Sequence, residues 1–218
     1  MAAARIAAVL GDYYHKPDAH REALEAVAAD CGAGLDVFLD PLAVPWDALP
    51  GWTMLIMARE GRIAPVGSKA VWFTPAHEQT VADFVLGGGA LVVLHAGLAS
   101  YGHDGAYGRT VHGSFINHPA EHPEFRVRRT HAEHEITRDV REFSIRDEMY
   151  FVRVDSAETT VLMESWSPDY GSSAAAWAHH AGKGRVFCFT PGHRDDVVSN
   201  PSYRAVLGRG ISWAAGMK

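Results

Sequence analysis

Three short apolar runs constrain this chain more than any other feature: ARIAAVL at 4–10, TMLIMA at 53–58 and ALVVLH at 90–95. Each has strand length and is apolar at nearly every step rather than at alternate steps. That is how a strand covered on both faces reads, as in a parallel sheet. Between the runs the period changes. Leu24, Val27 and Ala28 recur at helical spacing, Asp18 is placed to cap that helix, and Cys31-Gly32 closes it. Leu35 to Leu39 reads as a second strand. Pro75 to Leu86 reads as a helix with Thr74 at its N-cap, its Val81, Phe84 and Val85 turned inward, and the glycines 87–89 ending it. Repeated strand–helix–strand units imply right-handed crossovers and a mainly parallel central sheet with helices on both faces, an α/β fold.

The second half is read differently. Residues 101–124 are rich in Gly, His and Pro and read as a long surface loop. Short strands are predicted at Phe125–Thr130, Glu142–Ile145, Met149–Val154, Thr160–Glu164 and Ala174–His179, then a buried strand in GKGRVFCFT (182–190). Asn200-Pro201 opens a closing helix. No repeat, low-complexity tract or linker interrupts the chain, so residues 1–218 form one domain.

Composition then removes whole classes of function. A formal net charge of −6 is wrong for a general nucleic-acid binder, which needs concentrated Lys and Arg. No apolar segment reaches the ~18–20 residues of a membrane span. The opening apolar run ends by Leu10 without a cleavage site, so it reads as a strand rather than a signal peptide. Cys31 and Cys188 lie far apart and form no disulfide framework or metal spacing, which makes a reducing cytoplasm the expected location. The unusual count is histidine, thirteen in 218 residues and dispersed. Such an excess suits acid–base work, metal ligation or hydrogen bonding to sugars.

In open parallel sheets, ligands bind beyond the carboxyl ends of the strands. That rule selects Asp12 and His15 within Gly11–His15, Arg59-Glu60, His95, and His193 in Pro191-Gly192-His193. His95 follows ALVVL at a sharp turn, the setting of a nucleophile elbow without the Gly-x-Ser-x-Gly form. It can act there as base, ligand or hydrogen-bond donor. In Asp147-Glu148-Met149-Tyr150, an extended backbone would point Glu148 and Tyr150 one way and Asp147 the other. His118-x-x-x-His122 would pair on a metal only in a helix, and Pro119 and Pro123 oppose one, so both read as surface histidines. His131, His134, His179 and His180 are set aside likewise. Gly87–Gly89 precedes a strand and so matches no phosphate loop. Of six tryptophans, Trp166 and Trp177 are the two read as facing a ligand.

The segments GGGALVVLHAGLASY (87–101), FINHPAEHPEF (115–125), HEITRDVREFSIRDEMYF (134–151), AWAHHAGKGRVFCFTPGHRDD (176–196) and NPSYRAVLGRGISWAAG (200–216) together resemble the ThuA-like, or trehalose-utilisation, family. The resemblance implies a three-layer flavodoxin-like sandwich similar to the class I glutamine amidotransferases. His95 then stands where an amidotransferase keeps its nucleophilic Cys, and His193 resembles the triad histidine. Neither cysteine lies at an elbow, so thiol-dependent glutamine hydrolysis is not expected. The family pattern also brings in Glu148, Tyr150 and His118. The chain departs from it at Glu135, where Pro often follows the preceding histidine, and this weakens any role for His134.

The resemblance implies an enzyme of carbohydrate metabolism acting on a sugar or glycoside, with a 3-keto disaccharide among its substrate classes. The expected catalytic residues are His95, His193 and Glu148, with Asp12, His15, His118 and Tyr150 contacting substrate. The same His95, His193 and Glu148 are the candidates to hold a divalent metal such as zinc. A non-catalytic sugar-binding or assembly module on the same fold is the alternative. The expected partner is a small-molecule sugar, with neither nucleic acid nor membrane, and nothing in the residues excludes a homo-oligomer.

Overall fold

A computed structural model describes residues 4–63 and 69–216, which includes the whole of the opening run at 4–10. The three apolar runs are the strands they suggest: β1 (Arg5–Leu10), followed after α1 (Asp18–Cys31) and β2 (Gly34–Phe38) by β3 (Met54–Ala58), then α2 (Pro75–Gly87) and β4 (Ala90–Leu94). Next come α3 (Ala106–Val111), β5 (Gly113–Asn117), β6 (Glu124–Arg129), β7 (Phe143–Arg146), β8 (Phe151–Val154), β9 (Thr160–Ser167), β10 (Gly171–Ala181), β11 (Gly184–Phe189), α4 (Asp195–Val198) and α5 (Pro201–Ala214).

Nine strands form one sheet in the order β2-β1-β3-β4-β11-β10-β9-β6-β7. The pairings from β2 through β11 are parallel. Those from β11 to β7 are antiparallel. The sheet is therefore mixed, and the expectation of a mainly parallel sheet holds for its first five strands. The physical reason is connection length. Helices carry the chain back over the parallel half, whereas the direct link from β10 to β11 is too short for a crossover and forces antiparallel pairing.

Alternation along β1 shows how the layers are filled. Ile6, Ala8 and Leu10 pack with Leu24 of α1 and with Tyr203, Val206, Leu207 and Ile211 of α5. Ala7 and Val9 face the opposite layer, with Val81, Phe84 and Val85 of α2 and Tyr107 of α3. Burying each such side chain stabilises the fold by roughly 1.5–3 kcal/mol before entropy is charged against it. Among the described residues, no helix is long and apolar enough to cross a membrane.

Local chemistry explains most boundaries. Thr74 caps α2 as the sequence predicts, accepting the His77 amide, and the His77 ring returns a bond to the Thr74 amide. Asp18 does not cap α1. It is the first helical residue, Pro17 occupies the cap, and the acid acts only through the helix dipole. The stretch 101–124 is not one long loop, because it contains α3 and β5. Its strand β5 pairs with β8, forming a separate two-stranded ribbon. Such pairing joins residues about forty apart and leaves no local signature.

Candidate active site at the carboxyl edge

The ends of β1, β4 and β11 bring three histidines to one point. After β1, Gly11 turns at a φ of 73° and starts a loop that folds over itself. Asp12 Oδ1 accepts the amides of Tyr14 and His15 and the His15 Nδ1 proton at 2.7 Å. Its other oxygen takes the Glu60 amide at 2.8 Å. Both carboxylate oxygens are thus engaged inside the protein, so Asp12 acts on a ligand through His15 rather than by touching it. Burial works to raise the Asp12 carboxyl, but the bond to His15, with the Glu60 and Tyr14 amides, outweighs it and holds the group down at about 2.

His95 ends β4 and begins a 3-10 turn, His95–Leu98, with a φ of 38°. A non-glycine residue rarely adopts that left-handed backbone, and such strain gathers at functional positions. Gly97 permits the turn, since any Cβ there would press into the Met57 carbonyl of β3. The His95 ring is 1 % exposed, and its Nδ1 donates to the Thr190 carbonyl at 2.7 Å. A carbonyl only accepts, so the proton is on Nδ1 and the lone pair on Nε2 faces the site. Tyr150 stacks on the ring at 4.0 Å and closes its other side.

Glu148 arrives from the opposite half of the sheet, on the link between β7 and β8. Its Oε2 lies 3.3 Å from His95 Nε2 and 3.2 Å from His193 Nδ1, while Oε1 lies 3.6 Å from His118 Nε2 and 3.8 Å from His122 Nε2. One oxygen faces the inner histidines and the other faces the rim. Burial would raise the Glu148 carboxyl, yet His193 and His95 pull it well below the usual carboxylate range. Burial dominates at His95 and lowers it; at His193 burial is overcome by Glu148, and the ring is raised.

The adjacent Asp147 has a different task. Completely buried, it accepts the amides of Gly192, His193 and Arg194 at 2.7, 3.2 and 3.1 Å. Sequence alternation separates Asp147 from Glu148, and the structure uses both: one carboxylate fixes the His193 loop, the other meets the His193 ring. Gly192 sits there at a φ of 127°, where a side chain would strike Tyr203 and His20.

His15 Nε2, His95 Nε2 and His193 Nδ1 are all buried and make no hydrogen bond; the Glu148 contacts are too poorly aligned to count as bonds. These three histidines and Glu148 each offer one ligand atom to a group in which all four atoms lie within 4.8 Å of one another. The rings of His15 and His193 are 4.9 Å apart, and those of His15 and His95 5.0 Å.

The structure therefore gathers His15, His95, Glu148 and His193, with Tyr150 and His118 beside them. It also adds His122, which the prolines on either side had argued against as a helical ligand. The loop after β5 brings His118 and His122 together without any helix, so the i,i+4 test was the wrong test. Trp166 and Trp177 do not face the site. Trp177 is completely buried with its indole N–H on the Val111 carbonyl, and Trp166 lies under the Arg128 guanidinium. Glu60 stays inside the protein, taking the Ser100 hydroxyl at 2.7 Å.

A cavity of about 480 Å³ opens beside the cluster, which it meets at His193, with His122, Tyr14, Lys16 and Arg194 among its other walls. Three larger hollows, of about 700, 630 and 520 Å³, lie elsewhere, the second at the amino ends of β3 and β4. None contains the converging donors, so size does not select the site.

Two solved structures share the whole architecture. A ThuA-like protein of Parabacteroides merdae is 13% identical with a TM-score of 0.76, over 99% of this chain and 91% of that one. A ThuA-like protein of Bacteroides uniformis is 18% identical with a TM-score of 0.70, over 98% and 93%. A β-galactosidase from Rahnella sp. R3 matches at 13% identity and a TM-score of 0.66, with 99% of this chain covering 32% of that one. These likenesses establish the fold. No curated protein matches the sequence. The model of the family described as trehalose utilisation matches residues 7–214, and this chain accordingly belongs to the ThuA family, with a carbohydrate-related role.

Proposed function

We propose that this protein is an enzyme of carbohydrate metabolism that acts on a sugar or glycoside carrying a ketone, with a 3-keto disaccharide as the substrate class. The observation that supports it best is Glu148, whose two oxygens face two different sets of histidines. A ketone acidifies the hydrogen on its neighbouring carbon. Removing that hydrogen needs a base, and the enolate oxygen that forms needs an electrophile.

The inner group of His15, His95, His193 and Glu148 marks the end where that electrophile has to be held. The base moves outward from His95 and His193, whose free nitrogens are buried, to the rim. His118 donates Nδ1–H to the Pro119 carbonyl at 2.6 Å, which leaves its Nε2 lone pair directed at the site as a ready base. His122, beside it, returns the proton. Isomerisation, or elimination of a glycosidic substituent, follows from the same enolate. Tyr150 holds the His95 ring and walls the substrate, and Asp12 orients His15. The cavity beside the cluster has the size and the mixed polar lining that a disaccharide needs. Tyr14, 40% exposed, is one of its walls.

The fold reading goes with this function. From β2 to β11 the parallel half has the 2-1-3-4-5 order of flavodoxin-like sheets, with His95 at the elbow next to the central crevice. We extend it to an amidotransferase-like sandwich that works without a thiol: Cys188 is buried and its thiol is pushed up by that burial. A cytoplasmic location agrees with the two free cysteines.

The test is incubation of the purified chain with a 3-keto disaccharide in deuterated water. Deuterium entering the carbon beside the ketone, or a converted sugar, supports the reading, and His95→Ala should abolish both with an unchanged circular-dichroism spectrum. Saturable binding with neither exchange nor product would instead make the protein a sugar-binding module.

A further inference from the structure

We infer that His15, His95, His193 and Glu148 form a binding site for one divalent transition-metal cation of the zinc type, with Asp12 and the Thr190 carbonyl aiming two of its ligands. It deepens the function proposed above by naming what the electrophilic end is, but the structural argument for it stands on the donors alone.

The first argument is protonation state. His95 gives its Nδ1 proton to a carbonyl and His15 gives its own to a carboxylate. Both acceptors put a proton on Nδ1, so in the neutral rings each Nε2 presents a lone pair. Ligand atoms of His15, His95, His193 and Glu148, one from each, all lie within 4.8 Å of one another. Acceptors facing acceptors repel unless something positive lies among them. Protonating all three rings would instead crowd three positive charges into one small cluster. One cation satisfies the three nitrogens and the oxygen together.

The second argument is spacing. Ligand atoms about 2.0–2.1 Å from a tetrahedral centre stand about 3.3–3.4 Å apart. Glu148 Oε2 is 3.3 Å from His95 Nε2 and 3.2 Å from His193 Nδ1, already at that separation. A set of three imidazoles and one carboxylate suits zinc and its first-row neighbours, whereas calcium and magnesium want oxygen shells.

The third argument is the outer shell. Metal-binding histidines are held by a carboxylate or carbonyl on the remote nitrogen, and Asp12–His15 and Thr190–His95 are such pairs. Asp12 in turn is locked by the Glu60 amide. Single negative charge on the ligand set would leave the cation net positive, and a ketone or enolate oxygen would join it by expansion to five ligands.

The experiment uses the full chain stripped with a chelator, titrated with zinc chloride in a calorimeter without any sugar. One equivalent per chain is expected, with X-ray absorption showing imidazole and carboxylate ligation. His15→Ala, His95→Ala and Glu148→Ala should each weaken binding on the order of 100-fold or more. Asp12→Asn, which leaves all four ligands, should weaken it on the order of 10–100-fold with the stoichiometry unchanged. The exposed control His131→Ala should not alter it. Absence of stoichiometric binding, or binding that survives in folded ligand variants because it sits on other histidines, overturns the inference. If an alanine variant unfolds, His15→Gln is read in its place by the same criterion. Zinc binding by a chain that converts no keto-sugar would remove the proposed function and leave the metal site standing. Full activity on a keto-sugar in metal-free protein would do the reverse.

Discussion

Asp147 holds the backbone of His193 from across the sheet: its carboxylate accepts the Gly192, His193 and Arg194 amides, with no exposure to solvent. Charge-assisted bonds of this kind are the strong ones, and removing the acceptor strands buried donors. Asp147→Ala should therefore cost about 3 kcal/mol, a fall of roughly 6–12 °C in Tm for a chain of this size. Differential scanning calorimetry checks it, and a change under 2 °C would contradict the role. Asp147→Asn should recover part of the loss.

His118 and His122 separate by role. In the proposed reaction His118→Ala should lower kcat by about 10²–10⁴-fold, the range for loss of a general base, with KM little changed. Deuterium exchange beside the ketone should fall in parallel. His122→Ala should slow product formation while exchange persists, because proton return and proton removal are then different steps. Equal loss of both signals in both variants would argue against this division.

Tyr14 lines the cavity and packs edge-on against Tyr13 at 5.1 Å, and in the proposed function its ring meets the sugar. Tyr14→Ala should raise KM about 10-fold and leave kcat nearly constant, since a ring face contributes about 1 kcal/mol or a little more to ground and transition states alike. Steady-state kinetics give the answer directly; a fall in kcat alone would place the ring in the chemistry instead.

Acid stability has a source away from the site. His179 bridges the Thr110 carbonyl and the Thr159 hydroxyl, each at 2.9 Å. Burial, with His112 and His180 nearby, lowers it from 6.5 to about 4 despite the Thr110 bond. His134 and Glu158 line the same hollow. The folded protein keeps His179 neutral while the unfolded chain protonates it below pH 6.5, so its contribution is complete above that pH and is lost as pH falls through about 4. Between pH 7 and 4 it should account for about 3 kcal/mol of destabilisation. Urea melts at several pH values should show a flatter profile for His179→Gln; identical profiles would refute the assignment.

Much of the parallel half was legible because its signals are local. The runs ending at Leu10, Ala58 and Leu94, the Thr74 cap and the strand-end rule that picked His15, His95 and His193 need only a few neighbouring residues. Glu148 stood in the sequence only as one of an acidic pair beside Tyr150, and the family pattern was needed to favour it, because nothing nearby says which way such a carboxylate turns. His122 was missed for the same reason: its partner Glu148 lies across a different strand connection, and the prolines that forbid a helix are what shape its loop. The ribbon of β5 with β8 and the antiparallel half of the sheet depend on pairings that only the folded chain defines.

The division of the sheet also sets the order in which this site can come into being. The histidines descend from the parallel half, whereas Asp147 and Glu148 hang from the antiparallel arm, and the amides that Asp147 grips are 45 to 47 residues further along the chain. Long-range pairings form late in folding. Reactive geometry is thus a product of completed assembly, and until the antiparallel arm has docked, the histidines of the parallel half lack the carboxylate that unites them.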